Sequence, residues 1–261
     1  MRISLRHTIV LFMLLMVNLN AQTTYYVDAE RPDDNGDGSS WAAAKQYLQS
    51  AIALASDGDE IWVAAETYSS AFIIGSGFQI YGGFSGSEEH LEERNWAENE
   101  TILTNREGTV VTFMDASDQT VLDGFTITGG SAGYRSQPNN GNGGGIYNEN
   151  GSPQISNCTI TGNEASSGGG MYNKASGRDV VANPTLTNCL FSGNQAYYGG
   201  GIFNSQESGD WRNISADPTL TNCTISGNSA DDRGGGIYNG GGSPILTNCI
   251  VWGNDPGIWS S

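Results

Sequence analysis

Positive charge is what this chain has least of. Eleven Lys and Arg stand against 28 Asp and Glu, a net charge of −17 over 261 residues, so polyphosphate partners are repelled at long range and no nucleic acid is expected. Cations are attracted instead. Histidine is equally scarce, at His7 and His90 only. Long apolar runs are missing too: the stretch from Ile9 to Val17 is too short to span a bilayer comfortably. With Arg2 and Arg6 before it and Leu19-Asn20-Ala21 after it, residues 1–21 read as a cleaved secretory signal, with no cysteine nearby to carry a lipid. This predicts a secreted or outer-surface protein of bacterial type, with no membrane span once the signal is gone. Glycine is abundant at 37 residues, but no strict triplet exists, which excludes collagen.

What is present is a repeat. GGGIYN (Gly143 to Asn148), GGGMYN (Gly168 to Asn173), GGGIFN (Gly199 to Asn204) and GGGIYN (Gly234 to Asn239) each accompany a second block. Those blocks are SPQISNCTITGN, NPTLTNCLFSGN, DPTLTNCTISGN and SPILTNCIVWGN, from Ser152, Asn183, Asp217 and Ser243. All variation in period falls between the Asn of GGGxxN and the Pro. Short β-rich runs parted by Gly and Asn, without a helical period, predict one coil of a β-solenoid per repeat. Equivalent residues then stack into ladders. Cys158, Cys189, Cys223 and Cys249 form one such column, and Asn157, Asn188, Asn222 and Asn248 another.

Upstream, GFQIYGG (Gly77 to Gly83) and GFTITGG (Gly124 to Gly130) align without gaps to NCTISGN (Asn222 to Asn228). Gly then exchanges with Asn at both ends of the block, which predicts left-handed corners at the Asn157 column and at the Asn163, Asn194, Asn228, Asn254 column. Phe78 and Phe125 fall in the cysteine column. Ile80, Ile127, Ile160, Phe191, Ile225 and Val251 follow two residues later, facing the core with it.

These motifs resemble the repeats of polymorphic outer-membrane proteins, and more broadly the pectate-lyase-like right-handed parallel β-helices. The resemblance runs from about Tyr25 to Trp252. It implies an all-β, single-stranded right-handed parallel β-helix, a fold that hosts lyases, hydrolases, adhesins and tailspikes alike. In pectate-lyase-like enzymes the groove lies beside the strand that GGGxxN represents, and acids holding calcium with an Arg or Lys base would be required. No such set stands out here.

Residues 22–58 are predicted to be an N-terminal strand and an amphipathic capping helix, with residues 59–261 forming the β-helix. Trp41, Ala44, Leu48, Ile52 and Ala55 mark one face of a helix over 41–55, with Ser40 as N-cap and Gly58 as the stop. Asp33, Asn35, Asp37 and Gly38 spell the first half of a calcium loop, but Ala44 stands where the bidentate Glu is needed, so an Asx-bonded turn is the plainer reading. Calcium is the sole cofactor the sequence hints at. The cysteines read as buried free thiols, with one or two disulfides as the alternative.

The two long loops, Lys174 to Asn183 and Ser205 to Asp217, leave adjacent coils. They gather Lys174, Arg178, Asp179, Glu207, Asp210, Trp211 and Arg212, a mixture of cations, carboxylates and an indole suited to a sugar. Tyr147, Tyr172, Phe203 and Tyr238 form an outward aromatic ladder that stacks either on sugars or rung on rung. The chain reaches Ser261 without a covering element, so truncation or end-to-end self-association is expected there. The reading is a surface scaffold for binding or adhesion to an extracellular polysaccharide or a surface protein. A polysaccharide lyase or glycoside hydrolase is the alternative, and a purely structural rod fragment the third.

Overall fold

A computed structural model describes residues 22–75, 77–133, 140–206, 213–256 and 259–260. The expected signal, residues 1–21, lies outside them. Among the described residues every paired strand is parallel to its neighbour; three sheets run the length of the molecule, and a fourth, of four strands, spans only the coils from Ser131 to Arg233. One coil shows the order in which they are met. Gln154–Ser156 belongs to sheet 1, Thr159–Thr161 to sheet 2, Glu164–Ser167 to sheet 3 and Met171–Ala175 to sheet 4. Each strand pairs with its equivalents one coil before and after, as in Gln154↔Thr185, Ile160↔Phe191 and Tyr172↔Phe203. Parallel strands joined through such crossovers wind with a right hand, and the fold is a right-handed parallel β-helix.

The strands of sheet 1 are three to six residues long, and alternate side chains turn inward and stack. Ile61, Ile80, Leu122, Ile155, Leu186 and Leu220 fill the core from sheet 1, with Leu103, Ile127, Ile160, Phe191 and Ile225 from sheet 2. Sheet 3 contributes only Ala132, Ala165, Ala196 and Ala230. The GGG segment carries the backbone ladder through the turn into sheet 4, with Gly168, Gly169 and Gly170 donating to the carbonyls of Tyr198, Gly199 and Gly200. No side chain fits there: Gly168 has φ +66°, and a Cβ on Gly169 would come within 2.4 Å of the Gln195 carbonyl oxygen.

Two predicted assignments are corrected. The corner between sheets 1 and 2 is left-handed as expected, at Asn157, Asn188, Asn222 and Asn248 with φ of 53° to 56° and at Gly124 with φ 84°. The next corner is different. There the positive φ belongs to Gly162, Gly193, Gly227 and Gly253, and the following Asn points inward instead. Asn194 Nδ2 donates to the Ile160 carbonyl and to Asn228 Oδ1, while Asn163 N and Nδ2 donate to Asn194 Oδ1. Once glycine takes the strained conformation, the amide is free to satisfy the backbone groups that the turn leaves unpaired.

The second correction concerns register. Phe125 does stand opposite Cys158, at the start of its strand Phe125–Thr128, but Gln79 pairs with Val121 and Tyr81 with Asp123, which puts the strand Gln79–Phe84 in sheet 1. Phe78 therefore does not share the cysteine column. Thr101 holds that place in its coil, fully buried and accepting from Gly83 N. Between them, residues 85–100 form an excursion inserted at the sheet 1 to sheet 2 corner, containing the 3₁₀ turn Leu91–Glu93.

At the N-terminus the single helix expected over 41–55 is two pieces, a 3₁₀ turn at Trp41–Ala43 and a short α-helix at Leu48–Ile52. Lys45 interrupts them by donating its N–H to Tyr26 O and accepting from Asp28 N, so the chain runs extended along the first strand, Thr24–Val27. Unpaired strand-edge groups win over helical ones here. Ser40 caps the 3₁₀ turn through Oγ on Ala43 N. Leu48, Ala51 and Ile52 still enter the core beside Val27 and Ile61.

Candidate functional site

Sheet 4 presents the most structured outer face. Ile146, Met171, Ile202 and Ile237 point into the core, so the residues after them point out. Tyr147, Tyr172, Phe203 and Tyr238 stack with centroids 5.7, 5.0 and 4.6 Å apart. Both faces of Tyr172 and of Phe203 are taken by neighbouring rings, so this ladder stabilises the coil rung on rung and offers no inner ring face to a sugar. The next residues point inward again. Asn148 Nδ2 donates to Asn173 Oδ1, Asn173 to Asn204 and Asn204 to Asn239. In the preceding coil Phe113 stands opposite Asn148, so among the described residues nothing donates to the buried Asn148 Oδ1 where the amide chain begins.

Past the ladder, polar chemistry starts. Glu149 Oε1 lies 2.8 Å from Lys174 Nζ and accepts from Ser176 Oγ, while Tyr147 donates its hydroxyl to Oε2. Burial alone would raise the Glu149 carboxyl, but these partners more than offset it and hold it below the usual carboxylate range. Tyr147 moves up, through burial first and then the Glu149 charge. Beside this group opens a groove of about 810 Å³, with Thr112 and Tyr147 in its floor and Ile73, Arg106, Met114 and Glu149 around it. Ile73 and Met114 are exposed despite being apolar.

The loops leaving sheet 4 do meet. Ala182 N donates to Ser215 O, Ser215 N donates to Val180 O, and Ala175, Ala182 and Ala216 form a small dry cluster with Ile214 beneath them. Of the sequence-predicted site, Lys174 is committed to Glu149, Arg178 is exposed, and Asp179, at φ +57°, accepts from Asn213 Nδ2. Glu207, Asp210, Trp211 and Arg212 lie outside the described residues. Sequence reasoning passed over Glu149, whose partner is one coil away and so not visible in either repeat alone.

In the N-terminal loop, Asp33 Oδ1 accepts from Asn35 N and Asp37 Oδ1 from Ser39 N. These are turn-forming bonds, and among the described residues no group of three or more His, Cys, Asp or Glu is arranged to hold a metal ion. Asp34, which the motif skips, does the joining: its Oδ1 accepts from Gln46 N and Tyr47 N ahead of the helix Leu48–Ile52. The four cysteines are free thiols; Cys158, Cys189 and Cys223 are buried, each directing Sγ at a carbonyl one coil back. Burial pushes Cys158 up to about 12, and the hydrogen bond with Cys223, followed by burial, raises Cys189.

Residues 188–205 and 222–240 match the family model of the Chlamydia polymorphic membrane protein repeat. No curated protein matches the chain significantly. Two solved structures share its general course. One is the pectin methylesterase from Aspergillus niger in deglycosylated form, at 11% identity and a TM-score of 0.42, covering 88% of this chain and 87% of that one. The other is the same enzyme in a penultimately deglycosylated form, at 13% identity and a TM-score of 0.37, covering 91% of this chain and 86% of that one. The fold itself is read from the register of the chain's own strands.

Proposed function

We propose that this chain is a surface-displayed β-helix scaffold for binding or adhesion, with its contact edge along the loops that leave sheet 4. One observation carries this reading. The four regular coils release their length variation at one edge, between sheet 4 and sheet 1, where Val180 and Ala182 of one long loop pair with Ser215 of the next. A rigid stack with variable loops on one side is how solenoids build extended binding surfaces. The polymorphic membrane protein repeat match supports an outer-surface setting. With Lys174 paired to Glu149, Arg178 and Arg212 supply the local positive charge that an acidic polysaccharide requires against a net −17 background, and Trp211 supplies a stacking ring.

The test is titration calorimetry of the full chain with oligogalacturonate, with and without calcium. Saturable binding is expected, weakened roughly tenfold in Trp211→Ala and in Arg178→Ala. Absence of binding, or binding indifferent to both substitutions, contradicts the proposal. Release of unsaturated products absorbing in the near ultraviolet would move the chain to the lyase reading.

A further inference from the structure

The excursion at 85–100 interrupts the coil at one corner only, and it is bolted down. Arg94 Nη2 lies 2.6 Å from Asp123 Oδ1, both side chains nearly buried, and Nη1 donates to the Gly82 carbonyl. Asp123 also accepts from Asn157 Nδ2 and Ser156 Oγ. The guanidinium sits 5.0 Å from the ring centroids of both Tyr81 and Trp96. This packing explains why the corner residue here is Gly124 where later coils carry Asn: a Cβ on Gly124 would stand 2.9 Å from Arg94 Nη1 and 3.2 Å from Trp96 Cβ. The glycine is there for the excursion as well as for its φ.

What the excursion presents is Trp96, an indole left 43% exposed at the wall of a groove of about 550 Å³. The groove follows the sheet 1 to sheet 2 corner past Glu100, Thr126, Asn157, Thr159 and Asn188. Glu100 accepts from Thr126 Oγ1, and Asn188 Nδ2 donates to Asn157 Oδ1, so the polar floor is ordered as a row. A held aromatic ring beside a row of carboxylate, amide and hydroxyl groups matches a sugar ring, apolar on its face and hydroxylated at its edge. Neither Lys nor Arg lines the groove, and the nearest cation, Arg94, is committed to Asp123. With Glu100 present, an acidic sugar would meet uncompensated negative charge.

We propose that this corner groove is a carbohydrate subsite for neutral sugar residues, with Trp96 as the stacking platform and Glu100, Asn157 and Asn188 as hydrogen-bonding partners. It lies at a different corner from the sheet 4 loops and does not depend on the loop edge being a binding surface.

The experiment is calorimetric titration of the full chain with cellohexaose, maltohexaose and mannohexaose, with oligogalacturonate as the charged counter-probe. At least one neutral oligosaccharide should bind saturably. Its affinity should fall roughly tenfold in Trp96→Ala and partly recover in Trp96→Phe. Asn188→Gly keeps the left-handed corner while removing the amide, so it should weaken binding several-fold without lowering the melting temperature appreciably. Trp211→Ala should leave this binding untouched, which separates the subsite from the loop edge. No saturable neutral-sugar binding, or binding unchanged in both Trp96→Ala and Asn188→Gly, overturns the subsite.

Discussion

The coils between Gly143 and Asn254 and those between Asp59 and Gly130 share sheets 1, 2 and 4, sheet 3 beginning only at Ser131, but are held in different ways. In the later coils each column keeps one kind of side chain, so every rung repeats the contacts of the last: amide to amide through Asn163, Asn194, Asn228 and Asn254, ring to ring through Tyr147, Tyr172, Phe203 and Tyr238. In the earlier coils the columns are mixed. Thr101 takes the cysteine place, Phe113 stands where later coils carry Asn, and a single ion pair fastens an excursion that the repeat does not anticipate. Redundant ladders leave loops free to vary at one edge, whereas the irregular coils rely on a few unique contacts.

Breaking those unique contacts should produce the largest effect. Asp123→Ala leaves the Arg94 guanidinium buried without its partner and removes the acceptor of Asn157 and Ser156, so a loss of about 3 kcal/mol is expected in urea unfolding. A loss below about 1 kcal/mol would mean that the excursion is not held by this pair. In the regular coils, Asn194→Leu strips the acceptor from Asn163 N and Nδ2, for an expected cost of about 2 kcal/mol. That cost should be smaller than for Asp123→Ala because no charge is left unpaired and Asn163 Nδ2 keeps the Ile127 carbonyl while Asn228 keeps Asn254.

At the left-handed corner the comparison sharpens further. Asn222→Val should cost more than about 1 kcal/mol and Asn222→Gly only a few tenths, since φ is +56° there. Equal thermal stability of the two would remove the corner's conformational basis. The smallest effect is electrostatic. Glu149 titrates below its unfolded value, so its contribution is present above the unfolded pKa and is lost as pH falls through the folded one. Glu149→Gln should therefore cost about 0.5 kcal/mol at pH 7 and nothing once the carboxylate is protonated in both states.

How much of this was legible in the sequence follows from the same contrast. The architecture and the first corner could be read because identical residues recur at fixed spacing, and only Asn or Gly takes that backbone cheaply. The second corner was misplaced by one residue because Gly162 and Asn163 both tolerate a left-handed turn, and only the buried amide ladder tells them apart. The register of Gly77 to Gly83 slipped because a short alternating motif fits sheet 1 as well as sheet 2. Its true place depends on Tyr81 pairing with Asp123 across an excursion. Trp96 and Arg94 lie in a charged stretch outside the repeat, and nothing local links Arg94 to an acid 29 residues away. Glu149 and Lys174 are likewise joined only by stacking.

The central claim, that the loop edge of sheet 4 is the binding surface, is tested most directly by hydrogen exchange on the full chain with and without saturating oligogalacturonate. Slowed exchange concentrated in residues 174–183 and 205–217 is the predicted result. Protection confined to sheets 2 and 3, with those two loops unchanged, would contradict it.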